Sequence, residues 1–164
     1  MLVMWRQLLI FCLLLPAWAQ ARVWNGWVTH VSDGDTLWVK PVDGAAPRKL
    51  RLLGLDAPEL CQAGGEAARA ALQQLVVGRP VQVKSNFQDT YGRDMARLRV
   101  DGRDVGAALV SAGQAWSSRW HNSKGPYAVQ EESARAAKLG LFADPAAELP
   151  SDFRQRHGPC QPAR

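Results

Sequence analysis

The segment 26–39, GWVTHVSDGDTLWV, constrains the fold more than any other part of the chain. Apolar and polar residues alternate on both sides of Asp33-Gly34. Period-two alternation is strand patterning, and Asp-Gly between two such runs is tight-turn chemistry. The segment is therefore expected to form two strands joined by a turn, with one face on a core. The same turn poses a chemical question. Asp33 and Asp35 flank the glycine, and they serve either the bend alone or a metal ion as well.

The rest of the chain extends this pattern. RKLRLLGLDAPEL, residues 48–60, is β-like up to Asp56, where Ala57-Pro58 stops it. GEAARAALQQLVV predicts a helix over 65–77, ended by Gly78 and Pro80. Residues 80–86 and 91–100 read as strands, the second closed by the hairpin signal Asp101-Gly102-Arg103. A short helix is expected over 104–113, an irregular segment over 115–125, and a last helix from Pro126 to Gly140. From Asp144 onward the Pro-rich tail is expected to be loosely ordered. Short strands, tight turns and three helices suit an α+β, mainly β domain: a five-stranded Greek-key barrel of the OB type. Another small α+β domain would satisfy the pattern too.

Residues 1–21 stand apart. One early positive charge, Arg6, precedes an apolar run from Leu8 to Leu15, then Pro16 and the small residues Ala17, Ala19 and Ala21. That is the layout of a secretory signal peptide, too short in its apolar core to span a bilayer comfortably. The alternative is an uncleaved anchor. The expected organisation is a signal peptide over 1–21, a domain over 22–143 and a tail over 144–164. The protein is expected to be exported, periplasmic or secreted, without stable membrane association after cleavage. No obligate protein partner is indicated, and a monomer is expected.

Export bears on charge and on cysteine. With Arg6 removed, 19 basic residues face 15 acidic ones, about +4, which suits an anionic partner without demanding one. Arginine dominates, and its planar fork grips phosphate. Two cysteines remain after cleavage, Cys61 and Cys160. In an oxidising compartment they can form one disulfide; two unpaired thiols are the alternative.

Three segments put charge where a core would not want it: Asp33-Gly34-Asp35-Thr36, then Arg51 with Asp56 and Glu59, then Tyr91-Gly92-Arg93. Arg51 could simply pair with Asp56 or Glu59 as an internal ion pair, since unpaired buried charge is costly. Alternatively the carboxylates of Asp35 and Asp56 hold a hard cation such as calcium, which takes oxygen donors. His30, His121 and His157 are widely separated, and with so few thiols the sequence argues against a zinc site. A third acid able to act as base and two arginines would complete a phosphodiester hydrolysis site.

At this point the chain resembles a known family, the staphylococcal nucleases or thermonucleases. DGDT, RLLGLDAPE, YGR, ALVSAGQAW and ARAAKLGLF occur in the family's order over roughly residues 27–142. The resemblance implies a calcium-dependent endonuclease of an OB-fold barrel, cleaving DNA and RNA to 3′-phosphate ends. It implies Asp35 and Asp56 as calcium ligands, with the backbone carbonyl of Ala57. It implies Glu59 as general base, and Arg51 and Arg93 as phosphate-binding arginines. Asp33 is expected to support Asp35. Tyr91 is retained as a substrate contact, preceded by Thr90 where the founding member has lysine. The segment after Trp116 lacks that member's tyrosines, so Arg119 or Trp120 is expected to stack on a base instead. Arg51 and Asp56 are five positions apart, and strict alternation would point them to opposite faces. A kink between Leu53 and Asp56, with Gly54 as its hinge, is therefore required. The rival reading is a non-catalytic OB-type module that binds nucleic acid or protein.

Overall fold

A computed structural model describes residues 21–119 and 121–160. The segment read as a signal peptide, up to Gln20, and Trp120 lie outside the described residues. Eight strands and four helices follow in chain order: β1 (Arg22–Val31), β2 (Thr36–Pro41), β3 (Arg48–Leu52), β4 (Leu55–Asp56), α1 (Gly65–Val76), β5 (Pro80–Gln88), β6 (Asp94–Val100), β7 (Arg103–Asp104), α2 (Val105–Ser111), β8 (Trp116–Ser117), α3 (Ala128–Ala136) and α4 (Pro150–His157). A 3-10 turn over Gly140–Ala143 separates the last two helices. Among the described residues, no helix is long and apolar enough to cross a membrane.

The sheet order is β3-β2-β1-β5-β6-β7, and β3 also pairs with β6 in parallel. That extra pairing closes β1, β2, β3, β5 and β6 into a five-stranded barrel. Closure removes the open edges that a sheet of this size would otherwise expose. The interior is filled by Leu37 and Val39 from β2, Leu50 and Leu52 from β3, Val81 and Val83 from β5, and Leu98 from β6. Ala68, Leu72 and Val76 of α1 and Leu109 and Val110 of α2 pack onto it. The spacing of the α1 residues is the helical i, i+4, i+8 stripe of an apolar face.

The expected barrel is present, with three refinements. The alternation through 26–31 is interrupted by a register shift between Val28 and His30. Gly26 and Val28 face inward before the irregularity, and Val31 faces inward after it. One extra residue in a strand reverses the side-chain phase, which is how both halves of β1 keep an apolar face on the core. The second refinement is Gly34. Its φ is not positive; what it supplies is space. A Cβ there would lie 2.6 Å from Cβ of Ala57 and 2.7 Å from Cβ of Ala68. The β1–β2 turn is thus pressed against β4 and α1.

The third is a correction. The tail is not loosely ordered throughout, and there are four helices rather than three: α4 begins with Pro150 at its first turn and ends at Gly158. A second apolar cluster, Trp116 with Ala134 and Phe142, packs against Leu141, Ala147 and Leu149 and holds the chain leading into α4. Trp116 and Phe142 meet edge to face at 5.9 Å. Cys61 and Cys160 are joined by a disulfide across 99 residues of sequence, with a Cα–Cα distance of 5.7 Å.

Candidate active site

The site forms where the β1–β2 turn, the β3–β4 kink and the loop after β4 meet. Asp33 first shapes the turn: its Oδ1 accepts the backbone N–H of Asp35 at 2.9 Å. Asp35 is then directed inward and is only 3 % exposed. Its Oδ1 accepts from Arg51 at 2.7 Å and from the Thr36 hydroxyl at 3.0 Å, while Oδ2 accepts the Ala57 N–H at 3.2 Å. Arg51 lies directly across the β2–β3 ladder from Thr36, so the strand register delivers this contact.

The predicted kink is present. β3 ends at Leu52, β4 begins at Leu55, and Gly54 between them has φ 87°. This left-handed conformation is cheap only for glycine, and a Cβ would also strike Pro126 at 2.6 Å. The kink restores Arg51 and Asp56 to one side. Arg51 donates to Asp56 Oδ1 at 2.8 Å as well as to Asp35. One guanidinium thus bridges two carboxylates, and the ion pair anticipated as the plain alternative is formed within the same constellation.

Burial pushes the Asp35 carboxyl up to about 7, offset only in part by Arg51, and the neighbouring Asp33 and Asp56 charges raise it further. For Arg51, burial acts to lower its affinity for the proton, but Asp35 and Asp56 outweigh this and the guanidinium is held charged.

Glu59 follows Pro58 on a short loop. Its backbone N–H donates to the Gln62 side chain at 3.1 Å, and its carbonyl accepts the Gln62 N–H at 2.8 Å. Arg93 projects from the turn before β6. Asp89 organises that turn by accepting the N–H groups of Tyr91 and Arg93, and pairs with the Arg93 guanidinium at 2.7 Å. Tyr91 is 80 % exposed, with the Arg93 guanidinium 5.2 Å from its ring centre. Asp35, Arg51, Ala57, Glu59, Tyr91 and Arg93 all line one cavity of about 490 Å³. A larger cleft of about 700 Å³ lies beneath the tail, lined by Trp116, Leu141 and Phe153 among others, and the converging acids and arginines are not in it.

Arg119 does not enter the 490 Å³ cavity. It pairs with Glu131 at 2.8 Å and lines an adjoining recess that shares Arg51 and Arg154 with that cavity and also holds Asp56. Three residues of the cavity were not anticipated from sequence, Lys49, Arg154 and Pro159. Arg154 of α4 donates to Glu59 Oε1 at 2.8 Å and to Asp56 Oδ2 at 3.0 Å and Oδ1 at 3.3 Å. The signal for it was the cysteine pair. A bridge from Cys61, two residues past Glu59, to Cys160 brings the preceding helix to the site.

The donor set suits a hard cation. Asp35 and Asp56 both reach the Arg51 guanidinium, the Ala57 backbone lies against Asp35, and no thiol or imidazole lines the cavity. Among the described residues, no three His, Cys, Asp or Glu side chains cluster tightly enough to hold an ion by themselves. A backbone carbonyl and water would have to complete the shell.

Fold and site together describe an OB-type barrel carrying acids and arginines at one rim, and comparison with known proteins agrees. Residues 49–144 match the family of staphylococcal nuclease homologues. Protein ParB of Escherichia coli is 39 % identical over 151 residues, covering 85 % of this chain and 82 % of its own. The micrococcal nuclease of Shigella flexneri is 35 % identical over 154 residues, covering 86 % and 84 %. An uncharacterized endonuclease of Haemophilus influenzae is 32 % identical over 129 residues, covering 79 % and 72 %. The chain belongs to the staphylococcal nuclease family.

Proposed function

We propose that this protein is an exported, calcium-dependent, sugar-nonspecific endonuclease that hydrolyses DNA and RNA to 3′-phosphate ends. The observation that carries the reading is that Arg51 joins Asp35 to Asp56 while Asp35, Arg51 and Glu59 line one cavity, with Arg93 entering from the turn before β6. Asp35 and Asp56, with the carbonyl of Ala57, would hold the cation, which supplies polarisation of a phosphoryl oxygen when bound. Glu59 accepts a proton from the attacking water, whose oxygen bonds to phosphorus. The bond from phosphorus to the 5′-oxygen breaks, and that oxygen leaves and takes up a proton. Arg51 and Arg93 donate to phosphoryl oxygens as charge grows there, a task that suits the planar guanidinium. Tyr91, exposed beside Arg93, offers a ring face or hydroxyl to the substrate. The disulfide between Cys61 and Cys160 supports maturation in an oxidising compartment, and so the exported reading.

The test uses the purified oxidised protein with supercoiled plasmid DNA and single-stranded RNA, with calcium or with a chelator. Calcium-dependent nicking of DNA and degradation of RNA, with new ends carrying 3′-phosphate, is the expected result. Equal degradation in chelator, or none with calcium, would overturn the reading.

A further inference from the structure

Arg154 is not accounted for by the proposed chemistry, yet among the described tail residues it makes the most extensive polar contact with the site. It spans two acids with different assigned tasks, touching both oxygens of Asp56 and one of Glu59. It comes from α4, beyond the family match at 49–144. Three constraints hold it there. The disulfide ties Cys160 to Cys61, two residues after Glu59. The Gln62 side-chain amide, 7 % exposed, donates to the Glu148 carbonyl at 2.7 Å. Leu149, at the start of α4, packs with the Trp116 cluster.

A cation held by Asp56 has to share the carboxylate with any guanidinium on the same oxygens and is repelled by it. As the side chains stand, Asp56 Oδ1 accepts from both Arg51 and Arg154, and Oδ2 accepts from Arg154. Arg51 is anchored independently by Asp35. Arg154 is more exposed than Arg51, with 36 % of its side chain accessible against 20 %, and is therefore the group that can withdraw.

We propose that Arg154 is a tethered stand-in for the divalent cation: it occupies Asp56 and Glu59 in the cation-free protein and must release Asp56 for the ion to bind. The tail thereby sets the cation concentration at which the site fills. The inference rests on the calcium reading above and adds a competitor to it. A group held near its target by a short tether acts at an effective concentration in the millimolar range, so even modest intrinsic attraction competes with a dissolved ion. The coupling is reciprocal: cation binding frees Arg154 and loosens α4 from the site.

The experiment is calorimetric titration of calcium alone, without nucleic acid, into the oxidised protein and its variants. Arg154→Ala is expected to bind calcium about tenfold more tightly than the parent, in the usual range of coupling between two sites. Arg154→Lys, which keeps the charge, should stay close to the parent. The parent with its disulfide reduced by a thiol reductant should fall between the parent and Arg154→Ala, and it provides the measurement if Arg154→Ala does not fold. Unchanged or weaker calcium binding in Arg154→Ala, with binding by the parent intact, overturns this inference alone and makes Arg154 a support of the site. No calcium binding by any of the proteins overturns the calcium reading and this inference together.

Discussion

Two buried carboxylates of this protein, Glu131 and Asp35, are each bonded to arginine, yet they sit in opposite electrostatic situations. Glu131 in α3 is 5 % exposed and accepts three strong hydrogen bonds: from the Ser117 N–H at 2.8 Å, and from Arg119 and Arg135, each also at 2.8 Å. Two guanidiniums share one acid there. At Asp35 the ratio is reversed. One deeply placed guanidinium, Arg51, is shared by two acids, with Asp33 adding its charge and Glu59 lining the same cavity. The Glu131 cluster has the composition of a structural clasp joining β8 to α3. The Asp35 cluster instead opens on a cavity that Lys49, Arg93 and Arg154 also line, so its acids and cations come from several segments and face a space that a ligand can enter. Buried charge by itself does not distinguish structure from function; access to an open cavity does.

The contrast can be broken experimentally. The largest expected effect is on chemistry. Glu59→Gln should lower the rate of plasmid cleavage about a thousandfold, within the usual range for loss of a general base, while shifting the urea midpoint little. An unaltered rate would remove Glu59 from its assigned task.

The next effect is on pH dependence. Burial holds the folded-state pKa of Asp35 at about 7, above the ordinary carboxylate range, so the native state holds a proton that the unfolded chain releases earlier. Stability is therefore fully present below about pH 4 and is lost as pH rises through 7. Over three units this amounts to at most about 4 kcal/mol in cation-free protein. Denaturant unfolding between pH 4.5 and 8.5 should show the decline, Asp35→Asn should flatten it, and calcium should restore stability at the alkaline end. A profile unchanged by Asp35→Asn would assign the decline to other groups.

Glu131→Ala probes the other member of the comparison. It leaves the buried Ser117 N–H without its acceptor and frees two partly exposed arginines, at a cost of about 3 kcal/mol. The fraction that remains folded should cleave DNA at close to the parental rate, read from urea curves and active-site-normalised kinetics. A large loss of rate in folded protein would mean that the clasp also acts on the site. Joint replacement of Cys61 and Cys160 by serine should have the smallest effect, about 2 kcal/mol, because the bridge secures α4 rather than the barrel.

Much of this was legible in the chain. The Asp-Gly turn, the stop at Ala57-Pro58 and the stripe of α1 are local patterns, and their elements appear where expected. The requirement for a kink at Gly54 also followed locally, since five positions along a regular strand cannot place Arg51 and Asp56 on one side. Other features had no local signal. The register shift in β1 is selected by which side chains the closed barrel buries. Gly34 looks like an ordinary turn glycine until Ala57 and Ala68 are found against it. Arg119, expected at the substrate, is instead engaged by Glu131, twelve residues away.

The sequence by itself determined where Asp35, Arg51, Asp56, Glu59 and Arg93 fall on turns and strand ends, and the short elements that carry each of them, because turns, strand periods and helix caps act over a few residues. Only the tertiary structure decided that Arg51 would bridge two acids, that the disulfide would form, and that Arg154 would reach Asp56 across 98 positions. Such contacts are set by where packing brings distant segments together, and side-chain type reveals a partner only once the backbone has placed it within hydrogen-bond range.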